Sequence, residues 1–279
     1  MKAVITAFAR IRESIVGMAG LAIVLFWVLV AVFADIISPF DPLQQISPLA
    51  TPGTEVEGGV LILGADFLGR DILSRIVHGT RTIMLWAPLA TGSALMVGIV
   101  LGLVGGFYGG RVDDVISFTA NMILAFPVLV LLILIIGVLG QSGASIVVAI
   151  TFASSPAVFR IVRGEVLTIR NRDFIAAAKT RGESVAYILF AEILPNAKAP
   201  LIVDACLRMG YTSILIGILG FLGLGLPPPT PDWGGMVNDN RAMALTFPHM
   251  TIFPCLAISS LVLGLNLLAD GISEVSKKV

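Results

Sequence analysis

The sequence predicts an all-α membrane protein with six transmembrane helices, and three observations predict it. Of the 279 residues, 57% are hydrophobic and only 13% charged, with a mean hydropathy of +0.98, a composition outside the soluble globular class. Six apolar windows, 15–33, 83–107, 115–139, 144–162, 201–224 and 250–268, are each long enough to cross about 30 Å of hydrocarbon. The basic residues Lys2, Arg10, Arg12, Arg111, Arg160, Arg163, Arg170, Arg172, Lys179, Arg181, Lys198, Lys277 and Lys278 all fall on one side of a six-span path. The positive-inside rule makes that side the cytoplasm and places both termini there. The loops on the other side, 38–82, 141–143 and 225–249, carry few basic residues and several acids. Lys+Arg and Asp+Glu number 18 each, so net charge gives no reason to expect a nucleic-acid partner.

The first window follows three basic residues and superficially resembles a secretion signal. It is longer than a signal core and lacks a small-x-small cleavage site, so a retained first span is expected. After it, GADFLGRDILSRIVHGTR (64–81) puts Leu68, Ile72, Leu73, Ile76 and Val77 on one helical face and Arg70, Asp71, Ser74 and Arg75 on the other. Asp71 and Arg75 have the spacing of a helical ion pair, and the helix is expected to lie in the outer interface. In the second span Gly98, Gly102, Gly106 and Gly110 recur every four residues, a seam for close helix packing within the subunit or against a partner. Pro88, Pro127, Pro156 and Pro254 lie inside or at the ends of spans and predict kinks. Cys206 and Cys255 read as small packing residues near opposite faces, too far apart for a disulfide. His78 and His249 fall near outer helix ends without neighbouring ligands, an interfacial rather than metal-binding pattern.

Between the fourth and fifth spans, FIAAAKTRGESVAYILFAEILPN (174–196) is a charged, helix-prone insert on the basic face. Ala176 to Ala178 favour helix, Gly182 suits a helix C-terminus, and Pro195 stops helix running unchanged into the fifth span. The insert resembles the cytoplasmic loop of binding-protein-dependent ABC importer permeases, with Ala177, Ala178, Gly182, Leu194 and Pro195 in register. The resemblance extends through GADFLGRDILSRIVHGTR, LGLVGGFYGGRVDD (101–114), LAFP (124–127), FRIVRGEVLTIRNRDFIAAAKTRG (159–182), ILPN (193–196), FLGLGLPPPTPDWGGM (221–236) and NLLADGI (266–272). Seven motifs in family order narrow it to the dipeptide/oligopeptide/nickel branch, second-subunit type, which implies the type I importer fold with its MetI-like core. The resemblance divides the chain into a first span and start of outer loop (1–55), an outer amphipathic segment (56–82) and the type I transmembrane domain (83–272), with a coupling loop over 160–198.

That resemblance implies that Ala176, Ala177, Ala178, Lys179, Arg181, Gly182 and Glu183 couple the spans to an ATPase. Ala176 stands where the family usually has Glu, so one charge contact is missing. Asp204 and Arg208 lie inside the fifth apolar run, an acid four residues before a base. They read either as a wall of the translocation path matching a zwitterionic peptide or as a structural ion pair between packed helices or near the cytoplasmic interface. Asp232 and Trp233, after the proline run 227–229, read as a rigid outer loop with an aromatic interface anchor, where the family reading places the binding protein.

No Walker A, Gly-x-Ser-x-Gly or His-Glu-x-x-His motif occurs, which argues against an ATPase or an intramembrane hydrolase, and internal repeats of a secondary carrier are not evident. The expected function is therefore a non-enzymatic permease subunit in the bacterial or archaeal cytoplasmic membrane, importing peptides by alternating access, with nickel, glutathione, opines or oligosaccharides as alternatives within the branch. The resemblance implies a homologous permease, two cytoplasmic ATPases that carry the ATP and Mg, and an extracytoplasmic solute-binding protein. No cofactor, metal or catalytic residue is expected in this chain.

Overall fold

The computed structural model describes residues 14–277. Lys2, Arg10, Arg12 and Lys278, counted above for orientation, lie outside them. Helix α1 (Ile15–Val32) starts at Ser14, whose hydroxyl accepts from Gly17 N and donates to Glu274. A short α2 (Ala34–Ile37) leads into an outer lobe containing a two-stranded antiparallel hairpin, β1 (Thr54–Val56) and β2 (Gly59–Leu61), with Glu55 opposite Val60. Then come α3 (Ile72–Tyr108), α4 (Gly110–Ala125), α5 (Val128–Leu139) and α6 (Gly143–Ile169). The segment after α6 holds α7 (Asp173–Thr180), α8 (Val185–Tyr187), π-type turns over Ile188–Ile193 and α9 (Leu194–Asn196). The chain finishes with α10 (Lys198–Phe221), α11 (Trp233–Asn240), a 3₁₀ turn and α12 (His249–Lys277).

Five of these helices, α1, α3, α6, α10 and α12, are long and apolar enough to cross a membrane. The pair α4 and α5 is bent by 93° at Phe126–Pro127 and counts as the sixth when its two halves make one crossing. Pro127 is therefore a hinge between helices, whereas Pro88, Pro156 and Pro254 lie within continuous helix. Cys206 and Cys255 are free thiols.

The glycine repeat resolves as a seam inside the subunit. Gly98, Gly102 and Gly106 of α3 face Val158, Val162 and Val166 of α6, residues that also recur every four positions. A methyl group on Gly102 would sit 2.5 Å from Val162 Cβ, and one on Gly106 would sit 2.7 Å from Val166 Cβ, so only hydrogen fits. Gly110, the fourth member of the repeat, has left the helix at φ 52° and opens α4 instead. A second close crossing joins α1 to α12, where Gly20 lies against the backbone at Gly264 and Leu268, and Gly271 against Gly17.

The expected interfacial helix does not exist as a separate element. Residues 72–82 are the first turns of α3, a single helix of 37 residues and so about 55 Å long, well beyond the hydrocarbon thickness. Its polar side is buried: Arg70, Asp71, Ser74 and Arg75 are each no more than 8% exposed. Asp71 makes no ion pair with Arg75; it caps α3 by accepting from Ser74 N (2.7 Å) and Ser74 Oγ (2.5 Å). Amphipathic spacing implies apolar-in and polar-out, but residues 40–42 and 239–240 cover the polar side as well.

The seam predicts a steep size dependence at its glycines. Gly102→Leu should separate α3 from α6 and reduce the folded, monodisperse fraction in detergent severalfold, a cost of about 1–3 kcal/mol or more, while Gly137→Leu, whose Cβ position is open, should leave it unchanged. Size-exclusion profiles of fluorescent fusions measure both.

Candidate functional site: a helix between spans and a polar cluster

The two ends of α3 organise two polar regions about 55 Å apart. At the C-terminal end, α7 joins the apolar cluster that surrounds the end of the seam. Its Ile175 and Ala178, three residues apart on one face, are fully buried together with Leu103, Val158, Val162, Val166, Ile188, Leu189 and Ile193. Lys179 lies over the Phe107 ring at 5.2 Å, and Arg170 donates to the Gly106 carbonyl at 2.7 Å, so basic side chains of the insert clasp the end of α3.

Gly182 terminates α7 in a Schellman motif. With φ at 76° it lets its own N–H reach the Lys179 carbonyl (3.0 Å) and the Glu183 N–H reach the Ala178 carbonyl (3.2 Å). Arg181 then pairs with Glu183 at 3.5 Å and with Glu192 at 3.7 Å, closing the turn against the π-type segment.

The seven residues assigned to coupling thus divide by face. Ala176, Ala177, Lys179, Arg181 and Gly182 are exposed, Glu183 is half-buried, and Ala178 points into the subunit. Ala176 lies on the outward face, so the carboxylate it replaces would have projected away from this subunit. Within the same insert Phe174, Tyr187 and Phe190 are 36%, 45% and 54% exposed.

Asp204 and Arg208 do form a pair, with Arg208 Nε 2.5 Å from Asp204 Oδ2 and both side chains about 15% exposed. A second buried-side pair, missed in the sequence because its members are 50 residues apart, joins Arg163 of α6 to Asp113 of α4 through two hydrogen bonds of 2.5 Å.

At the other end of α3, residues 64–75 meet the loop that carries α11. Trp233 is not an interface anchor. It is completely buried, donates its indole N–H to the Ile76 carbonyl at 2.9 Å, and packs edge-on to Trp27 with ring centroids 5.0 Å apart. Gly79 makes room for it, since a methyl there would lie 2.7 Å from the indole. Asp232 is 4% exposed and caps α11 by accepting from Gly234 N and Gly235 N. Neither side chain is placed to touch a docking protein; together with Thr82 Oγ1, which donates to the Pro231 carbonyl, they bolt the outer loop to α3. Aromatic plus proline spacing gives no sign of this, because burial depends on the α1 and α3 surfaces that meet there.

Asp66, 1% exposed, accepts from Leu68 N, Arg70 N and Arg70 Nε and lies 3.7 Å from Arg75 Nε, while Arg70 Nη2 reaches Asp239 at 3.5 Å. A cavity of about 220 Å³ opens among Arg70, Arg75, Gly220, Gly225, Asp232 and Asp239. His249, expected near this outer end, stacks edge-on against Phe247 beside Gly64. Among the described residues, no three His, Cys, Asp or Glu side chains are grouped as metal ligands.

A polytopic helical bundle with a short amphipathic helix inserted between two of its spans defines the class of membrane permease subunits. The chain belongs to the family described as binding-protein-dependent transport system inner membrane component, whose model matches residues 98–278. The N-terminal transmembrane domain of oligopeptide transport permease C matches residues 5–52. Curated relatives include the dipeptide transport system permease protein DppC of Alkalihalophilus pseudofirmus, 36% identical over 96% of this chain and 87% of the relative. The di/tripeptide transport system permease protein DppC of Pseudomonas aeruginosa is 38% identical over 92% and 86%, and the glutathione transport system permease protein GsiD of Pectobacterium atrosepticum is 36% identical over 95% and 87%.

Asp232 supplies a pH test of the outer bolt. Burial, reinforced by Asp239, raises its carboxyl from 3.8 to about 6 against the opposing Gly234 and Gly235 amides and Arg75. The folded chain then holds the proton more tightly than the unfolded one, so this residue's stability contribution is full below pH 3.8 and falls as pH rises to about 6, by on the order of 3 kcal/mol in total. Asp232→Asn keeps an oxygen to cap α11 and removes the buried charge. Its melting temperature in detergent should match or exceed that of wild type at pH 7.5, with a flatter profile between pH 4 and 6.5; a profile that overlays wild type contradicts the assignment.

Proposed function

We propose that this chain is one of the two permease subunits of an ATP-driven, binding-protein-dependent importer of short peptides in the inner membrane. The observation that carries the reading is α7, an eight-residue helix ended by Gly182 that offers an exposed small-residue face while Ile175 and Ala178 on its other face are buried in the apolar cluster that includes Leu103, Val162 and Val166. Such a helix can seat in a groove of a soluble partner and pass movement to the spans without unfolding. ATP and Mg belong to two cytoplasmic ATPases, a homologous permease completes the path, and an extracytoplasmic binding protein delivers the substrate to the end that carries Asp232 and Asp239. Peptide import is supported by the dipeptide and di/tripeptide permeases among the relatives. The glutathione permeases of similar identity favour a second substrate reading of related chemistry, a modified tripeptide.

In this reading both termini and α7 are cytoplasmic. On a background lacking Cys206 and Cys255, a cysteine at Glu57 should react with a membrane-impermeant maleimide in sealed cells and one at Arg172 should not; the reverse pattern overturns the orientation.

Coupling is tested at Gly182, where a Cβ would meet nothing within 4 Å in this subunit. A side chain there costs about 1–2 kcal/mol of backbone strain and otherwise affects only a docked partner. Gly182→Arg should insert normally yet lose substrate-stimulated ATP hydrolysis by the assembled complex at least tenfold. Gly182→Asn, which tolerates the same backbone conformation, should retain more of it. Full stimulation in the Arg variant would exclude α7 as the coupling element.

A further inference from the structure

The outer cavity contains a cation that its own surroundings leave incompletely bound. Arg75 is 3% exposed, yet its guanidinium makes one hydrogen bond, from Nη1 to the Pro42 carbonyl at 3.4 Å. Its Nε lies 3.7 Å from Asp66 Oδ2 and has no hydrogen-bond partner. The cause is competition: Arg70 Nε holds Asp66 Oδ2 at 2.6 Å, and the amides of Leu68 and Arg70 hold Oδ1 at 2.9 Å. A guanidinium has five donors in a planar fork suited to a carboxylate, and burial makes unmet donors costly.

Arg75 borders the cavity of about 220 Å³, and the other charges around it are Arg70, Asp232 and Asp239. Two cations and two carboxylates around one space complement a ligand with both signs of charge. Glycines 220 and 225 keep the wall low at Asp232, since a methyl on Gly225 would lie 2.6 Å from its Oδ2. The volume is below the roughly 300–1,000 Å³ of pockets for drug-sized ligands and suits the backbone of a small peptide rather than a protein segment.

We propose that this cavity is an outer subsite for a zwitterionic peptide, in which Arg75 receives the free C-terminal carboxylate and Asp239, beside Asp232, receives the α-ammonium group. The inference rests on the peptide reading above and adds that the permease itself, not only its binding protein, distinguishes the charged ends of the substrate. Asp239, 39% exposed, is the entry-side carboxylate, and Arg75 the deeper anchor.

The test uses the assembled importer in nanodiscs without binding protein, titrated with radiolabelled Ala-Phe, its C-terminal amide and its N-acetyl derivative. The subsite predicts that Ala-Phe binds at least tenfold more tightly than either blocked form. Asp239→Asn should weaken Ala-Phe severalfold and leave the N-acetyl peptide unaffected. Arg75→Lys should narrow the difference between acid and amide; if that variant does not fold, the Asp239→Asn comparison decides. Equal binding of acid and amide, or no Ala-Phe binding at millimolar concentration, overturns the subsite. Uptake of Ala-Phe by the complete system with its binding protein separates the two levels: uptake without end-group discrimination by the permease removes the subsite alone, whereas absence of peptide uptake removes the peptide reading and this ligand with it.

Discussion

The packing of Gly98, Gly102 and Gly106 against Val158, Val162 and Val166 is the constraint on which the rest of the structure depends. Because each glycine accepts a valine at near-backbone distance, α3 and α6 cannot slide by a residue without placing a side chain where only hydrogen fits. The same valines belong to one buried apolar cluster with Ile175 and Ala178 of α7. Arg170 on the Gly106 carbonyl and Arg163 on Asp113 extend that contact sideways to α4.

At the far end, the same rigid α3 carries the outer lid. Ile76 supplies a carbonyl to the Trp233 indole, Gly79 supplies the space for its ring, and Thr82 holds the Pro231 carbonyl. These three residues span barely two turns of one helix, so the loop bearing α11 has to follow α3. A helix of 37 residues joined to α7 at one end and to the lid at the other gives both ends a shared body.

How much of this was legible in the sequence depends on the range of the interaction. Spans were readable because apolar length is a local property, and five windows fall on the five long helices, the third window being the bent pair at Pro127. The Gly182 turn was readable because a left-handed C-terminal position selects glycine whatever surrounds the helix. Amphipathic spacing in residues 68–77 misled for a specific reason: it identifies two faces, but whether the polar face meets water or a second protein layer is decided by segments far away, here residues 40–50 and 230–240. Trp233 misled in the same way. An aromatic residue near a proline run has the composition of an interface anchor, and only the meeting of α1 and α3 with the loop buries it.

The two membrane-region ion pairs illustrate how range also decides meaning. Arg163 and Asp113 lie on different helices, so their attraction fixes α4 to α6. Asp204 and Arg208 are four apart on α10 and bridge no helices, which removes the reading of a tie between packed spans. An intrahelical pair gains little from Coulomb attraction relative to what burial costs each ion. What lowers the cost here is depth: counted from Lys198, the two side chains sit about 9 and 15 Å along α10, within reach of the headgroup region if that end faces the membrane surface. Because Asp204 and Arg208 neutralise each other within one turn, the pair adds no net charge to the bundle at that depth.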